Sequence, residues 1–388
     1  MNRIVEIARS FGALGFSAFG GPTAHLGYFR TEFVERRRWL DDRQYAEIVV
    51  LSQLLPGPGS SQTGMMLGYH RGGFLGMATA WFMFTWPSLA LMAGFALFFN
   101  ATSASWTRGL LAAAVAVVFH AVVGMARSMA ATPLTATIAV ASGIAVLALP
   151  SAFTHLGVIL VAGAIGAFSF TPLIDATSPS SPSSPSSPSS PSSPLRKMPA
   201  WAGVGSLLMF FLCLVAAIIA GGFYPAFIQA GSVVSGGGHV VLPLLETLVV
   251  APGYISNTDF LSGYAAAQAV PGPMFSFASY LGALHGGVAG AVVASLAIFF
   301  PAALLSVSGL YFWGRWRSST RLQAALTVIN AGVVGLLGAA LYDPVFTHGI
   351  TNTASLAIAA MCWLGLAQWK LPPWAIAGSA AILGWLLL

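Results

Sequence analysis

The chain has 388 residues, of which 57% are hydrophobic and 7% are Asp, Glu, Lys or Arg, with a net charge of +6. An average soluble domain carries roughly 25% charged residues, so water is not the main solvent of this chain. Its positive charge is therefore a guide to membrane orientation before it is a sign of nucleic acid. Cys213 and Cys362 lie in separate apolar stretches and stand as small core hydrophobes rather than a disulfide framework.

In chain order, MNRIVEIARSFG is charged and no small-residue cleavage site follows an apolar core, so no removable signal peptide is expected. Residues 10–37 contain Gly20-Gly21-Pro22, and residues 44–69 contain Pro56-Gly57-Pro58. Both are predicted as hairpins of half-helices that return to the face they entered, because a leg of about 12 residues reaches only about 18 Å into a hydrocarbon core about 30 Å thick. Full crossings are predicted over 72–100, 108–130, 133–149 and 152–169. Residues 171–199 form a cytoplasmic linker around a Ser/Pro repeat, 177–194, which has no large apolar side chain and is expected to be solvated and of polyproline character. An unpaired crossing over 200–222 leads to two further hairpins, 223–250 turning at Gly236-Gly237-Gly238 and 259–284 turning at Pro271-Gly272-Pro273. Crossings over 286–313, 320–341, 351–367 and 371–388 complete the chain.

The segments 1–170 and 223–388 are copies of one unit. GFSAFGGP (15–22) matches GSVVSGGG (231–238), QLLPGP (53–58) matches QAVPGP (268–273), and LGYHRGGFLG (67–76) matches LGALHGGVAG (281–290). Basic charge changes loops between the copies. Arg30, Arg36, Arg37, Arg38 and Arg43 have no Lys or Arg counterpart over 246–259, whereas Arg315, Arg317 and Arg321 correspond to Arg108 alone. With the N-terminus inside, every one of the 16 Lys and Arg except Arg108 falls on the cytoplasmic side. The expected fold is an all-α polytopic membrane protein of two inverted-topology repeats with re-entrant half-helices, joined by one extra transmembrane helix. The competing drawing has 44–69 cross once as a kinked helix.

A helix that begins inside a membrane points unpaired N–H groups and roughly half a positive charge at what precedes it. Four such starts follow Pro22, Pro58, Gly238 and Pro273, and a proline at the first helical position wastes no donor. The candidate anion-binding residues are Gly20, Gly21, Pro22, Thr23 and His25 at the first tip, and Pro56, Gly57, Pro58, Gly59, Ser60 and Ser61 at the second. Gly236, Gly237, Gly238 and His239 form the third tip, and Pro271, Gly272, Pro273 and Ser276 the fourth. Gln53 and Gln268, three residues before the prolyl turns, either line the site or hold the hairpins together. Hydroxyls and imidazole N–H groups suit oxyanion oxygens, and no Lys or Arg lies near a tip, so dipoles and hydroxyls would bind a dianion that must also leave. Glu47 sits within a half-helix leg as a candidate coupling group. No Ser/His/acid set recurs at the two Pro-Gly-Pro turns, which argues against an intramembrane hydrolase and against any enzyme. A passive anion channel is the alternative to a carrier.

The stretches GFSAFGGPTAHLGYFRTEFV, WLDDRQYAEIVVLSQLLPGPGSSQTGMMLGY, SGGGHVVLPLLETLVV and AAAQAVPGPMFSFASYLG resemble the chromate ion transporters of bacteria and archaea. Ser235, where the first half has Phe19, departs from the duplicated FGG pattern. The resemblance implies export of chromate across the inner membrane, with sulfate as the related oxyanion, driven by an ion gradient or membrane potential and linked to chromate resistance. It implies a chromate or sulfate dianion and the bilayer as partners, with a homodimer as a compatible assembly. No cofactor, metal or nucleic acid is called for.

Overall fold

The computed structural model describes residues 3–18, 21–98, 105–149, 152–169, 196–234, 241–316, 319–371 and 373–388, and among these the regular structure is helical throughout. The Ser/Pro linker lies outside the described residues. The first half comprises α1 (Arg3–Ser17), α2 (Gly21–Arg30, continued by a π-helical turn Thr31–Arg36), α3 (Asp42–Leu54), α4 (Gly59–Phe98), α5 (Ser105–Met129), α6 (Pro133–Ala148) and α7 (Ala152–Ser169). After α8 (Ala200–Ala220) come α9 (Phe223–Val233), α10 (Val241–Leu245, continued by a π-helical turn Glu246–Val250), α11 (Asn257–Ala269) and α12 (Phe277–Trp316). Then follow α13 (Thr320–Ala340), the short α14 (Thr347–Gly349), α15 (Thr353–Ala367) and α16 (Pro373–Leu387). Five helices are long and apolar enough to cross a membrane, and shorter apolar helices pack among them, so the protein is a multi-pass membrane protein.

Helix starts follow from local chemistry. Asp41 and Gln44 form a reciprocal capping box at α3, as do Thr132 and Thr135 at α6 and Asn352 and Ser355 at α15. These caps and the prolines beside them keep α6, α15 and α16 to 16, 15 and 15 residues. Such helices are about 22–24 Å long, shorter than the full crossings the sequence predicts and than a core of about 30 Å.

The 40-residue helices α4 and α12 are each two antiparallel legs. At Gly73 the backbone takes φ 67° and ψ −155°, and at Gly287 φ 60° and ψ −151°, a conformation only glycine adopts freely. Gly68 consequently lies against Gly76 and Ala80, and Gly282 against Gly290 and Ala294. In one continuous helix, residues 68 and 80 would stand about 18 Å apart. The prolyl turn before α4 reverses the chain as well: Ser52 Oγ and Thr63 Oγ1 are 2.7 Å apart, where 11 helical residues would separate them by about 16 Å. Residues 44–69 are therefore a hairpin, not a single kinked crossing.

The halves exchange helices. α5 packs against α15 and α16 of the second half, and α13 packs against α6 and α7 of the first. Gly109 is pressed onto the carbonyl of Ala380, and Gly166 onto that of Ala324. Ala324 is the counterpart of Gly109 at a spacing of 215, and Ala380 that of Gly166 at 214. These contacts relate residues of the two halves reciprocally. The relation is broken at the hairpins: α11 also packs on α5 and α16, whereas α3 has α4, α12 and α2 as its partners.

Candidate functional site

The site is assembled where the hairpin turns meet. Gly57 has φ 116° and Gly272 φ 98°, positive values that a side chain would resist. Each turn donates to the opposite half: Gly57 N–H bonds the Val234 carbonyl at 2.5 Å, and Gly272 N–H bonds the Ala18 carbonyl at 2.9 Å. Val234 and Ala18 are 216 positions apart and Gly57 and Gly272 215, so the two bonds join residues at nearly the same spacing. Space at the turns is equally reciprocal. A Cβ at Gly57 would lie 3.1 Å from the Ala302 side chain of α12, and one at Gly272 2.9 Å from Ser88 Oγ of α4.

The first half-helix of α4 starts directly after Pro58. Its first intrahelical bond runs from Gln62 N–H to the Pro58 carbonyl at 2.9 Å, so the N–H groups of Gly59, Ser60 and Ser61 precede the ladder and face the turn. Ser60 and Ser61 are buried, and Ser61 Oγ has no hydrogen-bond partner. Gln62 is fully buried: its Nε2 donates to the Pro56 carbonyl at 2.9 Å, while its Oε1 is unpaired. Thr85 Oγ1, on α4 one turn from Ser88, is a third buried oxygen without a partner. Unsatisfied buried polar atoms are costly and uncommon, and with the Trp81 indole nitrogen four of them lie along α4.

His25 links the first tip to the second. Buried on α2, it places Nε2 3.2 Å from the Ala18 carbonyl and Nδ1 3.2 Å from Ser60 Oγ, with its ring edge-on to Phe84. A carbonyl only accepts, so Nε2 carries the proton and a neutral ring accepts the Ser60 hydroxyl at Nδ1. Ser60 is thus occupied, and Ser61 offers the free hydroxyl. The Ala18 carbonyl receives both His25 and Gly272, which joins the first and fourth tips at one atom, and the His25 ring reaches on to Ser60 of the second.

Not every predicted residue enters this cluster. Gln53 is exposed, its amide lying beside Gly59, and the buried amide of the turn is Gln62 instead. Gly21, Pro22 and Thr23 begin α2. Pro271, Gly272, Pro273 and Ser276 are buried, with the Ser276 N–H bonded to the Pro273 carbonyl in a 3-10 turn. Gly20, Ser235, Gly236, Gly237, Gly238 and His239 lie outside the described residues, as do the side chains of Gln268 and His155. Gln62, Thr85 and Ser88 were not singled out in sequence. The signal for Gln62 is its place four residues after Pro58, where an amide reaches back to the turn it follows.

Beneath the hairpins, acids and bases are paired on one face. Glu6 bonds Arg71 at 2.7 Å and the Trp39 indole at 2.8 Å. Arg37 bonds Glu32 at 2.5 Å, Arg36 bonds Glu32 at 2.9 Å, and Arg30 bridges Glu35 and Asp42. Burial alone would raise the Glu6 carboxyl, but the Arg71 and Trp39 hydrogen bonds and the nearby Arg37 hold it below its usual range. Glu47 lies 3.6 Å from Arg43 at the start of its leg, away from the tip.

Cross-packed halves, reversed half-helices and a buried tip cluster with spare donors define a multi-pass membrane protein of the transporter class. The chain belongs to the chromate transporter family, whose model matches residues 5–167 and 221–385. It is 28% identical to a probable chromate transport protein of Synechococcus elongatus over 87% of this chain and 83% of the relative. It is 26% identical to the chromate transport protein of Pseudomonas aeruginosa over 98% of this chain and 92% of the relative. The uncharacterized transporter YwrA of Bacillus subtilis is 28% identical over 42% of this chain but 95% of its own length, which makes it a relative the size of one half. No solved structure matches the chain.

Proposed function

We propose that the protein is a secondary transporter that exports chromate, or the related oxyanion sulfate, across the inner membrane by alternating access, binding the anion at half-helix N-termini near the bilayer midplane. The observation that carries this reading is the free Ser61 hydroxyl, buried at the N-terminus of a half-helix whose turn is bonded to the opposite repeat. Helix N-termini favour anions, and the bonds exchanged at Gly57 and Gly272 make the tips a joint between two bodies that can rock. No Lys or Arg lies at the described tips, so the anion would be held by dipoles and hydroxyls and released without breaking an ion pair. The curated relatives named for chromate transport support the substrate, while sulfate, a tetrahedral dianion of similar shape, would be separated by only about 1–3 kcal/mol in such a cage.

Inverted topology of the repeats belongs to the same proposal. The turn at Gly73 sits among Glu6, Arg71, Trp39 and Arg196. Its counterpart at Gly287 follows His285, which stacks on Phe223 at 3.9 Å between Tyr224 and Tyr254. A basic turn and an aromatic one suit opposite faces of the membrane. Arg108, the lone base assigned outside, donates to the Leu388 carbonyl at 2.9 Å. Cysteines introduced at 70 and 285 should label from opposite faces, and labelling from one face would sink the inverted arrangement.

Flux of radiolabelled chromate and sulfate into proteoliposomes, under an imposed potential or pH gradient, tests the function. Saturable flux that follows the gradient supports the carrier. Single-channel currents would support a passive anion channel, a reading that the burial of the Pro-Gly-Pro tips among the described residues does not favour.

A further inference from the structure

A cavity of about 530 Å³ lies in the seam between α4 and α12, walled by Met77, Trp81, Phe300, Ala303 and Val307, with Met65 at its floor. Its lining is apolar apart from the indole N–H of Trp81, and Phe300 and Phe74 are 46% and 44% exposed, so the groove faces the lipid. At the rim the chemistry changes. Phe74 meets the rings of Tyr69 at 5.2 Å and Trp201 at 6.4 Å. The Arg196 guanidinium lies 5.7 Å over the Tyr69 ring, and Tyr69 OH donates to the Lys197 carbonyl. Arg196 and Lys197 are both exposed, and neither forms an ion pair among the described residues. Glu6, Glu32, Glu35, Asp42 and Glu47 are instead taken by other arginines.

We propose that this seam is a binding site for one anionic phospholipid. Its phosphate pairs with Arg196 and Lys197, its interfacial region rests on Tyr69 and Trp201, and an acyl chain fills the groove. Aromatic rings and unneutralised cations at the mouth of an apolar groove match the three zones of such a lipid in order of depth. A zwitterionic lipid would fill the groove but leave the cations without a net negative partner. Met65 stands one helical turn from Ser61 on the same half-helix, so the chain end would press on the leg that carries the tip. The proposal does not depend on what the tips bind.

The full chain is reconstituted in phosphatidylcholine vesicles containing either phosphatidylglycerol or phosphatidylcholine with brominated chains. Quenching of Trp81 is isolated by subtracting a Trp81→Phe variant. The phosphatidylglycerol probe should quench at a lower mole fraction, each cation contributing about fivefold, and Arg196→Gln with Lys197→Gln should bring the two probes together. Both side chains are exposed; Arg196→Gln also removes the guanidinium from the Tyr69 ring, whereas Lys197→Gln alone leaves that contact in place and should still narrow the difference between the probes. Equal quenching by the two probes in the wild type, or a preference that survives the double substitution, would overturn the proposal.

Discussion

After Pro58 the chain continues Gly59-Ser60-Ser61-Gln62-Thr63, and after Pro273 it continues Met274-Phe275-Ser276-Phe277-Ala278. The two turns share a positive-φ glycine, a bond to the opposite half and a buried helix start. Apart from the buried serine that recurs as Ser61 and Ser276, they differ in what the side chains contribute. The first has two serines, a buried amide and His25, whereas the second has Met274 and Phe275 packed into the core. Even the wall that Gly272 faces, Ser88 with the Phe84 carbonyl, comes from the first half, while Gly57 faces Ala302. A duplicated backbone with donors concentrated in one copy separates two tasks. The turns give both repeats a shared joint, and the first repeat supplies most of the chemistry at it.

The largest expected effects come from breaking what the turns share. Gly57→Leu and Gly272→Leu each force a side chain onto a positive-φ residue and into the opposite half, a strain of about 1–3 kcal/mol before any clash is counted. Chromate flux in proteoliposomes, normalised to protein inserted, should fall by tenfold or more in both. Normal flux in both variants would remove the site from the tips.

Effects on the side chains should be unequal. Ser61→Ala removes a buried free hydroxyl, and a hydrogen bond to a charged ligand contributes about 1.5–3 kcal/mol, so the half-saturating chromate concentration should rise about tenfold or more. Ser276→Ala, within a 3-10 turn between Phe275 and Phe277, should stay within about twofold, as is usual for a substitution that removes no ligand contact. Equal losses would show that the second tip shares the binding and would break the division of labour. His25→Ala should fall between them, because it frees the Ala18 carbonyl and the Ser60 hydroxyl together.

The hairpins at Pro-Gly-Pro were legible because two prolines around a positive-φ glycine end a helix, where the lone Pro87 and Pro301 are absorbed inside α4 and α12. The reading of a duplication rests on the recurrence of those breaks. Helix exchange was not, since nothing in the patterning of α5 distinguishes burial against α15 and α16 from burial against its own half. Gln53 was chosen by its repetition as Gln268, yet which of Gln53 and Gln62 turns inward depends on the reversal between α3 and α4. The same limit applies to Thr85 and Ser88, which approach the second turn only because the halves interlock. The length of α15 fell short of the hydropathy span because its Asn352 cap, not hydrophobicity, sets where the helix begins.

The smallest effect separates the bases of the two repeats. In the first, Glu6 joins Arg71, Trp39 and Arg37, whereas the corresponding turn of the second is held by His285 stacked on Phe223. The Glu6 carboxyl is held below its unfolded value, so its stabilisation is present above the ordinary carboxylate range and is lost as pH falls through the lowered value. Glu6→Gln should therefore lower the Tm in detergent by about 2 °C at neutral pH, and the difference from wild type should close under acid. His285→Gln removes a ring stack rather than a carboxylate, so its own difference from wild type should persist across that same acid range. If Glu6→Gln kept its full effect under acid, the arginine cluster would be stabilising through packing rather than charge, and the electrostatic contrast between the two bases would disappear.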